Sequence, residues 1–298
     1  MRRVKVTLPG AATRLGPAQQ GLGLALGLHT TIEIIERNDE ALTVETGGED
    51  SGRYSIGLRH PVVLGMMRVF QHQERAALGL TIRVQNGIPH ASGLGAEAAF
   101  YAAGIIAANN LLGNPLPRAQ VVEMAVSLGG VGAVSTILGG LTISLLDGGT
   151  LVYRSLPAAP LKIVLALPEL TTDPAQVAIP ERVPLRDALE NLNRVPLLLD
   201  ALRTGDLDLL GRSADDRLLA PRFRALIKGY DRVLAAAKEV GAVTVIPTGL
   251  ALLAFVAEDH DRVATAMQTA FQLAGVRSRT WTLPIDRQGV VISASQSS

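Results

Sequence analysis

The chain has 298 residues, of which 48% are hydrophobic and 18% are charged, and its formal net charge is +1. This composition is typical of a folded globular protein of two domains, and the charge excludes a dedicated nucleic-acid binder, which carries a strong basic patch. Because the chain contains no cysteine, disulfides, thiolate metal sites and a cysteine nucleophile are excluded as well.

Neither the N-terminal residues nor the most apolar segment indicates export or membrane insertion. Residues 1–10 lack the apolar core of a signal peptide, and the stretch 243–257 is shorter than a membrane span and contains Pro247. We therefore expect a cytoplasmic protein with no membrane partner and no nucleic-acid partner.

The first half of the chain contains both predicted strands and predicted helices. Alternating apolar residues predict strands at 3–9, 30–37, 41–46, 80–86, 141–146 and 150–156. Helical spacing predicts helices at 60–73, 94–112 and near 117–128. The segment 129–140 has glycines at both ends, and no helix or strand is predicted there.

The composition changes near residue 156, and the second half alternates helices and strands. The predicted elements are a strand within 157–170, helices at 185–205, 222–241 and 260–275, paired strands at 242–246 and 250–258, and a strand at 276–285. This order predicts a split α+β layer. We therefore divide the chain into an N-terminal domain, 1–156, and a C-terminal domain, 157–298.

The segment 86–100, NGIPHASGLGAEAAF, has the pattern of a loop that holds a phosphate. Pro89 ends the preceding segment, Gly93 and Gly95 free the backbone, and an apolar helix follows at once. Glu97, however, places a carboxylate in the first turn of that helix, where a bound phosphate would lie.

Three stretches, 8–34, 89–98 and 129–144, together resemble the galactokinase–homoserine kinase–mevalonate kinase–phosphomevalonate kinase (GHMP) superfamily, and homoserine kinases most closely. The resemblance implies an α+β GHMP kinase fold, with an N-terminal ribosomal-protein-S5-like α/β domain and a C-terminal ferredoxin-like split βαβ domain. It also implies ATP-dependent phosphoryl transfer, in which the glycine loop holds phosphates and a loop serine and an acidic residue hold Mg²⁺.

The phosphate-type loop 89–97 keeps the backbone pattern of the family but not its hydroxyls. Ala96 and Glu97 stand where the family has two serines. The resemblance places the candidate nucleotide-binding residues at Pro89, Ser92, Gly93, Leu94, Gly95, Ala96 and Glu97. Glu97 has three readings: a carboxylate that stabilises its own helix end without nucleotide, a substitute Mg²⁺ ligand, or a plain surface residue.

The acidic Mg²⁺ ligand of the family has no counterpart in the direct alignment. When residues 138–140 are matched to the family's Leu-Gly-Gly, Ser127 falls at the position of the family's glutamate. In the same register, Gly129, Gly130, Val131 and Gly132 fall at the family's His-Pro-Asp-Asn. A shifted register would bring Glu123 nearer. No catalytic residue is assigned.

The substrate pocket implied by the resemblance is also altered. Arg14 and Gln20 replace an asparagine and the aspartate that receives the substrate ammonium, and the carboxylate-binding arginine falls on Ala178 or a gap. Arg222 and Arg224 lie near another basic position of the family. Gly249, within 246–251, is the residue of a closing glycine motif that remains in register.

Two further matches are assigned structural roles in preference to catalytic ones. His90, within the glycine loop, is weighed as a general base against a hydrogen-bonded turn residue, and the turn residue is favoured. Asp216 and Arg217 match an Asp-Arg-Leu of the family and predict a structural ion pair.

These substitutions leave three functional hypotheses. In the first, the protein is a homoserine-kinase-like binding protein or subunit that transfers phosphate poorly, paired with a second copy or an active kinase paralogue. In the second, it is an active kinase for homoserine or a related small metabolite, with ATP and Mg²⁺ as cofactors. In the third, the cleft has a different small-molecule activity that needs no ATP.

Overall fold

The computed structural model describes residues 2–75, 77, 79–170 and 180–296. Within this part of the chain, two β-sheets are covered by helices. The strands of the first sheet are β1 (Arg2–Leu15), β2 (Ala18–Arg37), β3 (Leu42–Gly48), β4 (Gly79–Asn86), β5 (Leu141–Asp147), β6 (Thr150–Leu156) and β11 (Val291–Gln296). Those of the second sheet are β7 (Lys162–Pro168), β8 (Ala242–Thr248), β9 (Ala251–Val256) and β10 (Ser278–Pro284).

The helices follow the chain order in two groups. The first group is α1 (Pro61–His72), α2 (Ala96–Leu111), α3 (Arg118–Gly129) and α4 (Gly132–Leu138). The second group is α5 (Leu185–Thr204), α6 (Leu207–Ser213), α7 (Ala220–Leu226), α8 (Tyr230–Glu239) and α9 (His260–Leu273). No helix among these described residues is both long enough and apolar enough to cross a bilayer.

The first sheet is organised around the long antiparallel hairpin of β1 and β2. The strand order is β11-β1-β2-β4-β3, and β5 joins β2 and carries β6 at its other edge. The alternation that predicts a strand at 3–9 buries Val4, Val6 and Leu8. Strand β1 continues to Leu15 because residues 10–15 keep pairing with β2. The stretch 8–34 is therefore mostly sheet, and the turn at residues 16 and 17 is buried.

Helix α2 lies in the centre of the N-terminal half because its side chains are small. Gly104 faces the first turn of α1, where a Cβ would lie 2.0 Å from the carbonyl oxygen of Val62. Gly65 faces α2 in the same way, since a Cβ there would lie 2.4 Å from the carbonyl oxygen of Tyr101. The two helices therefore approach with backbones nearly in contact, which fixes the start of α2 relative to the rest of the domain.

The second sheet has the order β10-β7-β9-β8, and every neighbouring pair is antiparallel. Helices α5 to α8 lie between β7 and β8 in sequence, and α9 lies between β9 and β10. This is the ferredoxin-like split βαβ arrangement expected for the second half of the chain.

One predicted element is wrong, and two elements were not predicted from the sequence. The single helix expected at 222–241 is two helices, because Gly229 takes a left-handed φ of 85° between α7 and α8. The segment 129–140 contains α4, which begins after Gly130 and ends at Gly139. Residues 291–296 form β11, which pairs with β1 and so returns the C-terminal end to the first sheet.

Asp216 and Arg217 hold the C-terminal helices together, but they do not pair with each other. Asp216 is 5% exposed and accepts hydrogen bonds from the side chains of Gln19 and Asn191 and from backbone amides 218–220. Arg217 instead places its Nε 2.9 Å from a carboxylate oxygen of Asp215. The predicted ion pair between 216 and 217 is therefore wrong, and Asp216 joins the tip of the β1–β2 hairpin to α5 and α7.

Candidate functional site

The glycine loop between β4 and α2 forms a tight turn that presents the start of α2 to a cleft. Residues His90–Ser92 form a 3₁₀ turn, and Gly93 and Gly95 have φ values of 73° and 68°. Ser92 is fully buried and donates its hydroxyl to the carbonyl of Pro89 at 2.6 Å, while the amide of Leu94 donates to it at 3.3 Å. The Ser92 hydroxyl therefore stabilises the turn and does not face the cleft.

The loop is held between the two halves of the protein. The amide of Ala11 in β1 donates to the carbonyl of Leu94 at 2.8 Å. On the other side, a Cβ on Gly93 would lie 2.4 Å from the carbonyl carbon of Thr248, at the end of β8. The Thr248 hydroxyl donates to the Gly93 carbonyl at 3.3 Å. Gly249, in the turn between β8 and β9, consequently reaches the cleft.

The cleft at the start of α2 is a cavity of about 390 Å³. Its lining is Thr13, Arg14, Gln20, His90, Gly93, Gly95, Ala96, Glu97, Ala98, Gly129 and Gly249. The structure thus brings together eight of the residues singled out in the sequence: Arg14, Gln20, His90, Gly93, Gly95, Ala96, Glu97 and Gly249.

The other singled-out residues lie elsewhere. Pro89, Ser92 and Leu94 are buried behind the loop. Arg222 and Arg224 are exposed on α7 and do not line the cavity, and Arg224 pairs with Asp231 at 2.6 Å. Ala178, the position of the family's carboxylate-binding arginine, lies outside the described residues.

Arg14 lies in the cavity wall at the far end of β1. Its guanidinium carbon is 5.5 Å from the centre of the Phe223 ring, a cation–π contact with α7. Partial burial lowers the pKa of Arg14. No carboxylate of the described residues lies within 4.0 Å of this guanidinium. Beside it, Gln20 is exposed and holds a left-handed φ of 63°, a conformation that non-glycine residues rarely adopt.

Glu97 is the acidic residue of the cavity, exposed in the first turn of α2. Within the part of the chain that the structure describes, Glu97 forms no ion pair. Burial, and secondarily the negative charge of Glu97, raise the pKa of the Tyr54 phenol. Burial and the same carboxylate also raise the pKa of Tyr101. Glu97 therefore contributes negative charge at the start of α2.

Tyr54 and Asp50 contact the site, and the sequence offered no pattern that would select either of them. The Tyr54 hydroxyl lies 3.2 Å from Nδ1 of His90, and the backbone amide of His90 donates to a carboxylate oxygen of Asp50 at 2.8 Å. Tyr54 also stacks edge-on against Phe100, with ring centres 5.2 Å apart. His90 is accordingly a hydrogen-bonded turn residue, as favoured from the sequence.

The residues of the cavity do not fit the magnesium site of the family. Mg²⁺ in phosphotransferases is held by one or two carboxylates together with phosphate oxygens and water. No cluster of three or more histidine or acidic side chains capable of holding a metal occurs in the described ranges. Ser127, at the position of the family's acid, donates its hydroxyl to the carbonyl of Met124 at 2.7 Å, and Gly129 packs against α2, where a Cβ would lie 2.8 Å from Ala98 Cα. Glu123 is exposed on α3 and does not line the cavity.

The backbone of the cavity, by contrast, fits an anion. Ala96 and Glu97 begin α2, and the amides of a helix's first turn have no partner within the helix. The backbone therefore favours phosphate, while the side chain of Glu97 opposes it.

A glycine loop at a helix start, set between an S5-like sheet and a ferredoxin-like sheet, defines a GHMP-type small-molecule kinase fold. The family described as "GHMP kinases N terminal domain" matches residues 61–141. Homoserine kinase from Moorella thermoacetica is 35% identical over 96% of this chain and 99% of its own length. Homoserine kinase from Synechococcus sp. is 34% identical over 97% of this chain and 95% of its own length.

Solved structures agree with the same fold. The homoserine kinase from Cytophaga hutchinsonii superposes with a TM-score of 0.87 at 21% identity, covering 98% of this chain and 97% of that one. The L. major mevalonate kinase superposes with a TM-score of 0.69 at 16% identity, covering 97% and 95%. The chain therefore belongs to the homoserine kinase family of the GHMP kinase superfamily.

Proposed function

We propose that this homoserine-kinase-like protein uses its cleft to bind a small molecule and transfers phosphate poorly, acting by binding or as a subunit. The observation that carries the proposal is Glu97, an exposed carboxylate at the phosphate end of the cavity with no complementary cation among the described residues. It stands where the family has a serine that helps hold Mg²⁺, and Gly129 stands opposite it.

Electrostatics give the size of the effect. Two unit charges 4 Å apart repel by about 1 kcal/mol in bulk water and about 4 kcal/mol at an effective dielectric of about 20. Because Glu97 is exposed, the cost to a bound phosphate falls within this range, roughly fivefold to a thousandfold in affinity. Without ligand, the same carboxylate stabilises its helix end by about 0.3–1 kcal/mol. Glu97 thus favours the nucleotide-free cleft.

The proposal has consequences for cofactors and partners. On this proposal the protein binds a small-molecule ligand in the cytoplasm, and this binding requires neither ATP nor Mg²⁺. Its protein partner is a second copy or an active kinase of the same family.

The second candidate is an active ATP-dependent kinase that phosphorylates the hydroxyl of homoserine or a related metabolite. It is favoured by whole-length similarity to homoserine kinases and by the exposure of Glu97, which leaves the carboxylate accessible to a cation. In this candidate Glu97 would hold Mg²⁺ in place of the missing acid, and Arg14 would contact an acidic group of the substrate.

Calorimetry with Mg-ATP up to millimolar concentration separates the two candidates. We expect no binding by the wild type and binding at least tenfold tighter by the double variant Ala96→Ser/Glu97→Ser, which restores both hydroxyls. Glu123→Gln, an exposed acid outside the cavity, is the matched control and should behave as the wild type. Magnesium-dependent binding by the wild type that disappears in Glu97→Ala, with phosphate transfer to homoserine, would establish the active kinase instead.

A further inference from the structure

A second cavity lies at the turn of the β1–β2 hairpin, where the hairpin meets the helices of the C-terminal half. Its volume is about 230 Å³, and the described residues that line it differ from all those that line the cleft at the start of α2. The hairpin contributes Gly16 and Gln19, and the chain from α6 to α8 together with β8 contributes the remaining walls. We call this space the hairpin cavity.

Two buried hydroxyls of the hairpin cavity have no hydrogen-bond partner among the described residues. They belong to Tyr230, which is 8% exposed, and to Thr244, which is 9% exposed, and both residues line the cavity. Burial raises the pKa of the Tyr230 phenol, and the carboxylates of Asp215 and Asp216, which line the same cavity, contribute to the rise, so this hydroxyl keeps its proton and can donate. Because a buried hydroxyl that lacks a partner has lost its hydration, both groups favour a molecule that supplies hydrogen bonds.

The charged residues of the hairpin cavity favour a neutral molecule. The buried carboxylate of Asp216 already accepts hydrogen bonds from two side-chain amides and from backbone amides 218–220. Asp215 and Lys238 are the exposed members of the lining, and their opposite charges cancel where the cavity meets solvent. The buried polar groups that are free to bind a molecule are therefore the two neutral hydroxyls.

The other walls and the volume limit the size of that molecule. The buried side chains of Phe223 and Val245 supply apolar surface beside the hydroxyls, on which the carbon-bound hydrogens of a ligand can pack. The volume of about 230 Å³ is well above the roughly 10–15 Å³ that one water needs, and it is below the roughly 300 Å³ of the smallest drug-sized sites. The cavity therefore fits a molecule of a few carbon atoms and excludes a nucleotide.

We propose that the hairpin cavity is a second ligand site, which binds a small neutral polyol of about three to five carbons through the hydroxyls of Tyr230 and Thr244. A hydroxyl both donates and accepts a hydrogen bond, so a molecule with several hydroxyls can satisfy both side chains at once. The inference goes beyond the proposed function and does not depend on it, because the hairpin cavity is separate from the cleft.

Saturation-transfer NMR on the full chain, without nucleotide, tests the inference. The probes are glycerol, erythritol and xylitol, with butan-1-ol as an analogue of one hydroxyl and glycerol 3-phosphate as a charged analogue. We expect saturable binding of at least one polyol, about fivefold tighter or more than that of either analogue, the usual effect of one hydrogen bond. A signal that rises with polyol concentration without saturating would mark an adventitious additive only and overturn the inference. Tightest binding of either analogue would overturn it as well.

Two substitutions that remove one hydroxyl each identify the site. Tyr230→Phe and Thr244→Val keep the shape of the side chain and should each weaken binding of the preferred polyol about fivefold or more. Tyr153→Phe and Thr282→Val, outside the cavity, are the matched controls and should bind as the wild type. Urea unfolding should show both cavity variants as stable as the wild type, because neither hydroxyl bonds another described residue. Unchanged polyol affinity in both folded cavity variants would overturn the inference.

A substitution in the cleft separates the two sites. Glu97→Gln should leave polyol affinity unchanged, because Glu97 does not line the hairpin cavity. A fivefold loss in this variant, with none in Tyr230→Phe, would place the polyol in the cleft and overturn the inference. Mg-ATP binding with phosphate transfer by the wild type would overturn the proposed function alone, whatever the polyols do.

Discussion

Acidification should destabilise this protein through His60, the residue that caps α1. His60 is fully buried, and its Nδ1 accepts a hydrogen bond from the amide of Val62 at 3.2 Å. The neutral ring therefore carries its proton on Nε2, which has no hydrogen-bond partner in the described part of the chain. The rings of Tyr54 and Phe100 lie 5.9 and 5.6 Å away. Protonation would bury a charge among these rings and remove the acceptor that caps the helix.

The size of the effect follows from the pKa of His60. Burial lowers it from 6.5 to about 4. Because the folded-state pKa lies below the unfolded-state pKa, the unfolded chain binds an additional proton between these two pH values, and stability falls as the pH falls. At about 1.4 kcal/mol per pKa unit, the free energy of unfolding loses about 3 kcal/mol between pH 7 and pH 4 through this residue.

Urea unfolding of the wild type and of His60→Asn between pH 7 and pH 4 measures this contribution. Asparagine keeps an oxygen that can cap the helix but cannot titrate. The variant should be less stable at pH 7, because it loses packing, yet should show a pH dependence weaker by about 3 kcal/mol over this range. His72→Asn, at the exposed end of the same helix, is the matched control. If His60→Asn keeps the wild-type pH dependence, the reasoning is refuted.

Two other substitutions test the supports of the cleft. Gly93→Ala should lower the free energy of unfolding by about 2 kcal/mol or more in urea, because the methyl group would collide with the backbone of Thr248 and the φ of 73° suits glycine. Gly113→Ala is the control, because Gly113 has a similar φ of 86° but a Cβ there would meet no atom within 4 Å. If Gly113→Ala lowers the free energy of unfolding as much as Gly93→Ala, the collision with Thr248 contributes nothing to the loss. Asp216→Asn should cost about 1–3 kcal/mol, because an amide cannot accept all the hydrogen bonds of the buried carboxylate. The exposed Asp215→Asn is its control, and equal losses in the two variants would contradict the central role of Asp216.

Local sequence was sufficient to predict an element whose buried residues recur with the period of its own backbone conformation. The alternation in β1 and β4 and the helical spacing of α1 predicted those elements, since each pattern matches the repeat of one backbone conformation. It was insufficient for β11, whose residues 291–295 are exposed and become a strand by pairing with β1, more than 250 residues away in sequence. It also failed at Gly229, where one amphipathic pattern continues across a left-handed break.

The same distinction applies to the candidate site. The motif pattern selected Gly93, Gly95 and Glu97, which line one cavity, because a glycine loop followed by a helix start is encoded in consecutive residues. Arg222 and Arg224, also selected from the sequence, do not line this cavity: Phe223 between them is buried, and neighbouring residues on a helix point about 100° apart, so both arginines face solvent.

The sequence by itself determined the family, the loop at the start of α2 and the chemical change at positions 14, 20, 96 and 97, because these depend on residue identity and order. The tertiary structure decided which of these charges have no partner among the described residues. Arg14 and Glu97 are 83 positions apart in the chain, and their meeting in one cavity without pairing depends on how β1, α2 and α7 pack. Whether an ionised side chain is neutralised by a neighbour or left for a ligand is a matter of distance, which no linear pattern specifies.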